Sequence, residues 1–174
     1  MLPVLTTARL VLRPALPADT EAVWHLLVLP EVRRFLCDDK VLPRDVVAGI
    51  VAECVVLAPA GMGMWIAERE GAMVGIASLK QVPQVLVDLI PALDGELEPT
   101  VALNPASWGQ GLAGEMLAAV VAHGFGALAL PRIAAICDVP NTASAAMLAR
   151  AGFRQTGEHP GLHYRLLSWM LARP

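Results

Sequence analysis

Gly109, Gly111 and Gly114 mark the point where an apolar strand gives way to a helix, in the stretch Gly95-Glu-Leu-Glu-Pro-Thr-Val-Ala-Leu-Asn-Pro-Ala-Ser-Trp-Gly-Gln-Gly-Leu-Ala-Gly-Glu-Met-Leu117. No side chain covers the N–H groups of these glycines. At a helix start, unpaired donors and the positive end of the macrodipole favour a phosphate. Read literally, the three glycines also form the GxGxxG of dinucleotide sites, with Asp138 ending the next strand as the ribose-binding acid. Two features exclude that reading. Asn104 to Trp108, with Pro105 among them, separate the strand from the glycines, and too few residues follow Asp138 for further βαβ units. A Walker loop fails because no Lys-Ser or Lys-Thr pair follows the glycines. The bland alternative is that the glycines only permit a tight turn and close helix packing.

Other chemically capable residues are less eloquent. His159 and His163 frame Pro160-Gly161, which prevents the helical i,i+4 geometry of a metal pair. They read as loop or substrate-rim residues, and no metal is expected. Cys137 on a strand reads as a small core residue rather than a nucleophile, and His25 and His123 as surface or packing residues on helices.

The elements that must hold the glycine turn follow from periodicity. Thr6 to Arg13 alternates as a first strand, ended by Pro14 and Pro17. Asp19 is placed to cap a helix through Leu29, closed by Pro30, and a short helical piece covers Glu31 to Phe35. Pro43 opens a second main helix with Val46, Val47, Ile50, Val51, Cys54 and Val55 at helical spacing. Met64–Glu68 and Met73–Leu79 read as strands joined at Glu70-Gly71, a hairpin turn. Pro83 to Asp94 is poorly patterned and reads as a strand extension or long hairpin loop. Glu96–Leu103 is a strand, Gln110–Phe125 a helix, Arg132–Asp138 a strand and Asn141–Arg150 a helix stopped by Gly152. Phe153–Glu158 and Tyr164–Leu171 close the chain. This order predicts a mixed α/β (α+β) single domain over residues 1–174, with a mostly antiparallel sheet of about six to seven strands and about four helices.

Composition fits that picture and excludes others. The 174 residues are 56% hydrophobic with a net charge of −3 and no basic cluster, so nucleic acid finds no electrostatic footprint. The longest apolar run, Val46 to Ala60, is interrupted by Glu53 and Pro59, short of the roughly 20 apolar residues of a membrane span. The first residues lack the pattern of a signal peptide. Three scattered cysteines suit neither a disulfide framework nor a zinc site. The expectation is a cytoplasmic protein, a monomer or homodimer.

Val101 to Glu115 resembles the acetyl-CoA-binding motif of the GNAT superfamily of N-acetyltransferases, most closely the branch that acetylates ribosomal-protein N-termini. The general motif, Gln/Arg-x-x-Gly-x-Gly/Ala, falls on Trp108, Gly111 and Ala113, with the Trp usual in that branch. Three further stretches match in the same order: Leu5 to Arg13 with Asp19 behind it, Asn141-Thr-Ala-Ser144, and Leu148 to Phe153. The likeness covers essentially the whole chain.

The resemblance implies direct attack of an amine on acetyl-CoA, with no covalent enzyme intermediate. An α-amine, with a pKa near 8, needs only modest help. The resemblance also implies that backbone groups of Val101, Ala102 and Leu103 meet the acetyl carbonyl and pantetheine arm. Trp108, Gly109, Gln110, Gly111, Leu112, Ala113 and Gly114 would surround the pyrophosphate, and Asn141 and Ser144 would reach the cofactor. Glu98 aligns with the family's strand Glu as general base, with Glu96 two residues away as its alternate. Ser144 is a candidate for the leaving thiolate, though Ser and Asn at a helix start also serve as caps. Pro99, unable to donate to a ladder, suggests a bulge that would splay its strand and free N–H groups for a ligand.

Two departures stand out. The tyrosine that many members use as general acid would fall at Leu148 and is absent here, as it is in the likened branch. Gly114 replaces a usual Ser or Thr. The acceptor, a protein N-terminus or small-molecule amine, should meet the first helices, the Pro83–Asp94 segment and the loop before Tyr164, with an apolar rim. The alternative function is an acyl-CoA-binding sensor or interaction module without turnover.

Overall fold

The computed structural model describes residues 1–174. Its opening is a small hairpin rather than the continuous strand expected over Thr6–Arg13. β1 (Leu5–Thr6) pairs antiparallel with β2 (Val11–Pro14), and the chain reverses between them, with Thr7 N–H donating to Leu10 O at 2.9 Å. The Thr7 hydroxyl accepts from Leu10 N–H at 2.9 Å, a local side-chain bond that competes with continued extension.

Three helices follow: α1 (Thr20–Leu27), α2 (Pro30–Leu36) and α3 (Arg44–Leu57). Asp19 does not cap α1 as expected. Its carboxylate is held by Arg13 at 2.7 Å and by the Leu16 N–H at 2.8 Å, which stabilises the preceding short turn instead. Pro30 at the first position of α2 uses a site where its missing N–H costs nothing. α3 buries Val47, Val51 and Cys54, one face at helical spacing.

β3 (Gly63–Arg69) and β4 (Ala72–Gln81) form the expected hairpin over Glu70-Gly71, both with positive φ, as a tight two-residue turn demands. Between β4 and β5 (Leu97–Leu103), the segment read as strand or loop is helical. α4 (Gln84–Leu89) starts after Pro83 and is followed by a 3₁₀ turn at Pro91–Leu93. Val82, Val87, Ile90 and Leu93 turn inward there and pack with Ala134 and Leu166, which makes the segment a plug over one end of the fold.

The rest is α5 (Leu112–Gly126), β6 (Arg132–Asp138), α6 (Thr142–Arg150), β7 (Arg154–His159) and β8 (Leu166–Ala172). β1-β2-β3-β4-β5 make one antiparallel sheet, and β6-β8-β7 a second. The eight strands, two of them from the split first strand, thus lie in two hydrogen-bonded groups with six α-helices.

The two groups meet at α5. Leu112, Met116 and Val120 pack with Trp65, Ala77, Leu79 and Leu103 of the larger sheet, while Leu117 packs with Ile133, Ala135 and Trp169 of the smaller. Each such buried side chain contributes roughly 2 kcal/mol. Met64, Ile66, Ile76 and Ala102 cover the opposite face of the larger sheet beneath α1, α2 and α3. β5 and β6 lie side by side without forming a ladder. The splaying expected at Pro99 is therefore present, but no bulge interrupts the β4 pairing, whose register runs unbroken from Gln81–Leu97 to Gly75–Leu103. The opening is on the β6 side.

Candidate active site

The glycine turn is built by main-chain geometry. After β5, Asn104 Oδ1 accepts from Ala106 N–H at 3.0 Å, and the indole of Trp108 donates to Leu103 O at 2.9 Å. Gly109 and Gly111 then take φ of 72° and 75°, the left-handed region that a Cβ resists. Gly111 is the residue before α5 and offers no side-chain cap. As a result the N–H groups of Gly109 through Gly114 have no acceptor within the protein. The Leu112 side chain is buried in the core, so only its backbone serves the turn. At Gly114 nothing lies within 4 Å of where a Cβ would stand.

Residues distant in sequence hold this turn. Arg9 donates from Nε to Glu115 Oε2, from its backbone N–H to Glu115 Oε1 and from Nη1 to Gln110 O, each at 2.8 Å. The Thr7 hydroxyl donates to Glu115 Oε1 at 2.5 Å, and Arg69 Nη1 donates to the Gln110 side-chain oxygen at 2.7 Å. Desolvation pushes the Glu115 carboxyl up, but the bonds from Thr7 and Arg9 outweigh it and leave it below the usual range. Two guanidinium groups thus stand at the edge of a run of open N–H donors.

β5 supplies the second part. Asn104 N–H bonds to Val74 O and Val82 N–H to Glu96 O, so the even-numbered residues of this strand face β4. By alternation, the odd ones, Leu97, Pro99, Val101 and Leu103, turn their backbone groups toward the opening beside β6. Pro99 fits there because it has no N–H to satisfy. The N–H groups of Val101 and Leu103 have no acceptor across the opening, whereas Ala102 is turned into the β4 ladder.

Side chains alternate in the same way, so Glu98 lies on the face covered by α1 to α3, with Thr100, Ser78 and Lys80 as sheet neighbours. Its carboxyl is half-buried and makes no hydrogen bond. Burial pushes it up to about 7, against a partial pull downward from the Lys80 ammonium. Glu96 is different. It precedes β5, and Arg132 holds its carboxylate from Nε at 2.8 Å and Nη2 at 2.5 Å.

Across the opening, β6 ends at Asp138 and α6 begins. Asn141 caps α6, its Oδ1 accepting from Ser144 N–H at 3.2 Å. The Ser144 hydroxyl and the Trp169 indole flank the buried Cys137 thiol; burial pushes that thiol up while they pull it back. Burial also raises the Asp138 carboxyl, reinforced by Asp38 and opposed by His163. Leu148 is buried, with no hydroxyl to offer. His159 Nε2 is 2.8 Å from Ser168 Oγ, a bond within the smaller sheet, and His123 Nε2 is 2.8 Å from Gly61 O.

A recess of about 340 Å³ opens between α2 and the loop before β8, lined by Pro30, Glu31, Arg33, Arg34, Asp39 and Tyr164. It joins two of the three segments assigned to the acceptor, but not the Pro83–Asp94 segment, which folds inward. Four of its six lining side chains, Glu31, Arg33, Arg34 and Asp39, are charged. Val32 of α2 and Val87 of α4 face the core, while Leu36 and Val85 of the same helices and Leu162 in the loop before Tyr164 stay exposed.

Arg9, Arg69 and Lys80 escaped the sequence reading. Thr7-x-Arg9 was visible in the first strand, but its partnership with Glu115 exists only once α5 is packed.

A model of the acetyltransferase (GNAT) domain matches residues 9–154. The uncharacterised N-acetyltransferase YoaA of Bacillus subtilis is 28% identical over 160 residues, 90% of this chain and 86% of that protein. RimL, the ribosomal L7/L12 α-N-protein acetyltransferase solved in complex with coenzyme A, superposes with a TM-score of 0.79 at 18% identity, covering 98% of both chains. YncA of Salmonella typhimurium, solved with acetyl-CoA, gives 0.75 at 19% identity over 95% of this chain and 94% of the other.

Proposed function

This chain belongs to the GNAT family of acetyltransferases, and we propose that it moves an acetyl group from acetyl-CoA to a primary amine, either a protein N-terminal α-amine or a small-molecule amine. One observation carries the reading. An unpaired carboxyl pushed up to about 7 stands on the strand that leads into a run of free N–H donors. A pyrophosphate suits Gly109 to Gly114, with Arg9 and Arg69 adding positive charge at the edge. The Val101 and Leu103 N–H groups suit the pantetheine arm and the acetyl carbonyl, where donors aimed at developing negative charge lower a barrier.

Glu98, rather than Glu96, is the general base, because Arg132 already occupies the Glu96 carboxylate. The amine nitrogen bonds to the acetyl carbon, the carbon–sulfur bond breaks, and Glu98 takes the proton released from nitrogen, directly or through water. The thiolate leaves past Ser144 and takes its proton there or from solvent. Asn141 supports this corner as the α6 cap. The charged recess beside Tyr164 is where the acceptor enters.

Support for an α-amine comes from RimL, whose substrate is a protein N-terminus. The test is thiol release from acetyl-CoA with a panel containing Ser- and Ala-initiated peptides, spermidine and a free lysine side chain. Acceleration by one class, lost in Glu98→Gln, supports the reading. If acetyl-CoA binds and no amine speeds thiol release, the chain is the binding module instead.

A further inference from the structure

Lys80 on β4 is in direct register with Glu98 on β5, both on the sheet face beneath α3. Such a cross-strand pair of opposite charge ordinarily joins. Here it does not. The Lys80 ammonium lies 2.9 Å from Glu53 Oε2 on α3, and no bond connects it to Glu98. Glu53 is more exposed than Lys80, 58% against 26% for their side chains, so the lysine reaches outward to it from the sheet.

We propose that Glu53 is a positioning residue: by holding Lys80 it keeps the Glu98 carboxylate unpaired and free to take a proton. The inference rests on Glu98 being the general base. A carboxylate locked to an ammonium is a weaker base, since an opposite charge at bonding distance favours its ionised form. The other charged groups around Glu98 are engaged or remote. On α2, Arg33 is bound to Asp39 at 2.9 Å and Arg34 lies over the Phe35 ring. On β6, Arg132 is bound to Glu96, and Asp138 stands at the far end of the strand beside Asp38 and His163. Lys80 is the one charge that acts on Glu98, and Glu53 decides where it sits.

Carbon-detected NMR titration of the side-chain carboxyls in the wild type, Glu53→Gln, Lys80→Met and Glu98→Gln tests this, with Glu98→Gln identifying the signal. Burial of Glu98 sets the expected wild-type midpoint at about 7. In Glu53→Gln the released Lys80 turns to Glu98 and the midpoint falls by about one pH unit. In Lys80→Met it rises. A midpoint unmoved in either variant overturns the proposal. The acid limb of kcat/KM, measured with acetyl-CoA and the best amine of the panel, separates the two layers. If the NMR midpoint moves and the acid limb does not, Glu98 is not the base, while the switch of Lys80 between carboxylates stands. If Glu98→Gln abolishes the limb and Glu53→Gln leaves both readouts unchanged, Glu98 is the base and the role of Glu53 fails.

Discussion

Arg9 and Glu115 meet across 106 positions of sequence, with the backbone N–H and the guanidinium of one residue closing on both carboxylate oxygens of the other. The same guanidinium reaches the Gln110 carbonyl, so a residue from the first hairpin fixes the turn that opens α5. The pair is partly exposed, 43% and 16% for the two side chains, and exposed pairs contribute little to stability. Its value is geometric.

Arg9→Ala should therefore raise the KM for acetyl-CoA about tenfold, the order of one charge-assisted bond, while kcat changes little. Arg9→Lys should restore only part of the loss, because an ammonium cannot reproduce the forked contact. Steady-state kinetics with the acceptor saturating checks the split.

Glu98→Gln should lower kcat by about a hundredfold or more, the usual worth of general base catalysis. The acid limb near pH 7 should disappear. Acetyl-CoA affinity, read by calorimetry, should be unchanged, since the carboxyl lies on the face turned toward α1 to α3.

The same variant should change stability in a pH-dependent way. Glu98 is raised from 4.5 to about 7 by folding, so the native state binds a proton that the unfolded chain has already released between those values. The wild type loses stability as pH rises through that window. Glu98→Gln should thus be more stable than the wild type at pH 8, by about 2 kcal/mol after allowing for partial exposure, with the gain fading below pH 5. Urea unfolding at the two pH values measures it.

Gly114→Ser tests the departure at the turn. Its Cβ meets nothing within 4 Å, and replacing a helical glycine gains about 0.5 kcal/mol. The added hydroxyl beside the open N–H groups should lower the KM for acetyl-CoA severalfold. Gly111→Ala should do the opposite. With φ of 75° it costs about 1 kcal/mol and distorts the donor run, which Tm and KM together report.

What the sequence revealed about this fold depended on range. The glycine turn, the β5 strand and the Asn141 cap are local, and each was legible because one short segment carries its whole cause. α4 was hidden because six residues span less than two turns, too few for a period to show, although Pro83 followed by Leu86 and Leu89 was a usable start signal. The first hairpin was hidden because alternation of apolar residues carried on through its turn, where only the Thr7 hydroxyl marks the reversal. The pairings of Arg9, Arg69 and Lys80 were beyond reading. A charge on one strand says nothing of which of several distant carboxylates or carbonyls will be brought to it.

The donors from Gly109 to Gly114, with those of Val101 and Leu103, belong to the main chain. Truncating the side chains of Val101, Leu103 or Gln110 to alanine deletes none of them, so a scan of those side chains would pass over much of this site in silence. Only proline, which removes a donor, or a residue that refuses the left-handed turn, strikes it directly. A site of this kind lets its sequence drift while its shape persists, and it is better traced by superposing backbones than by matching letters.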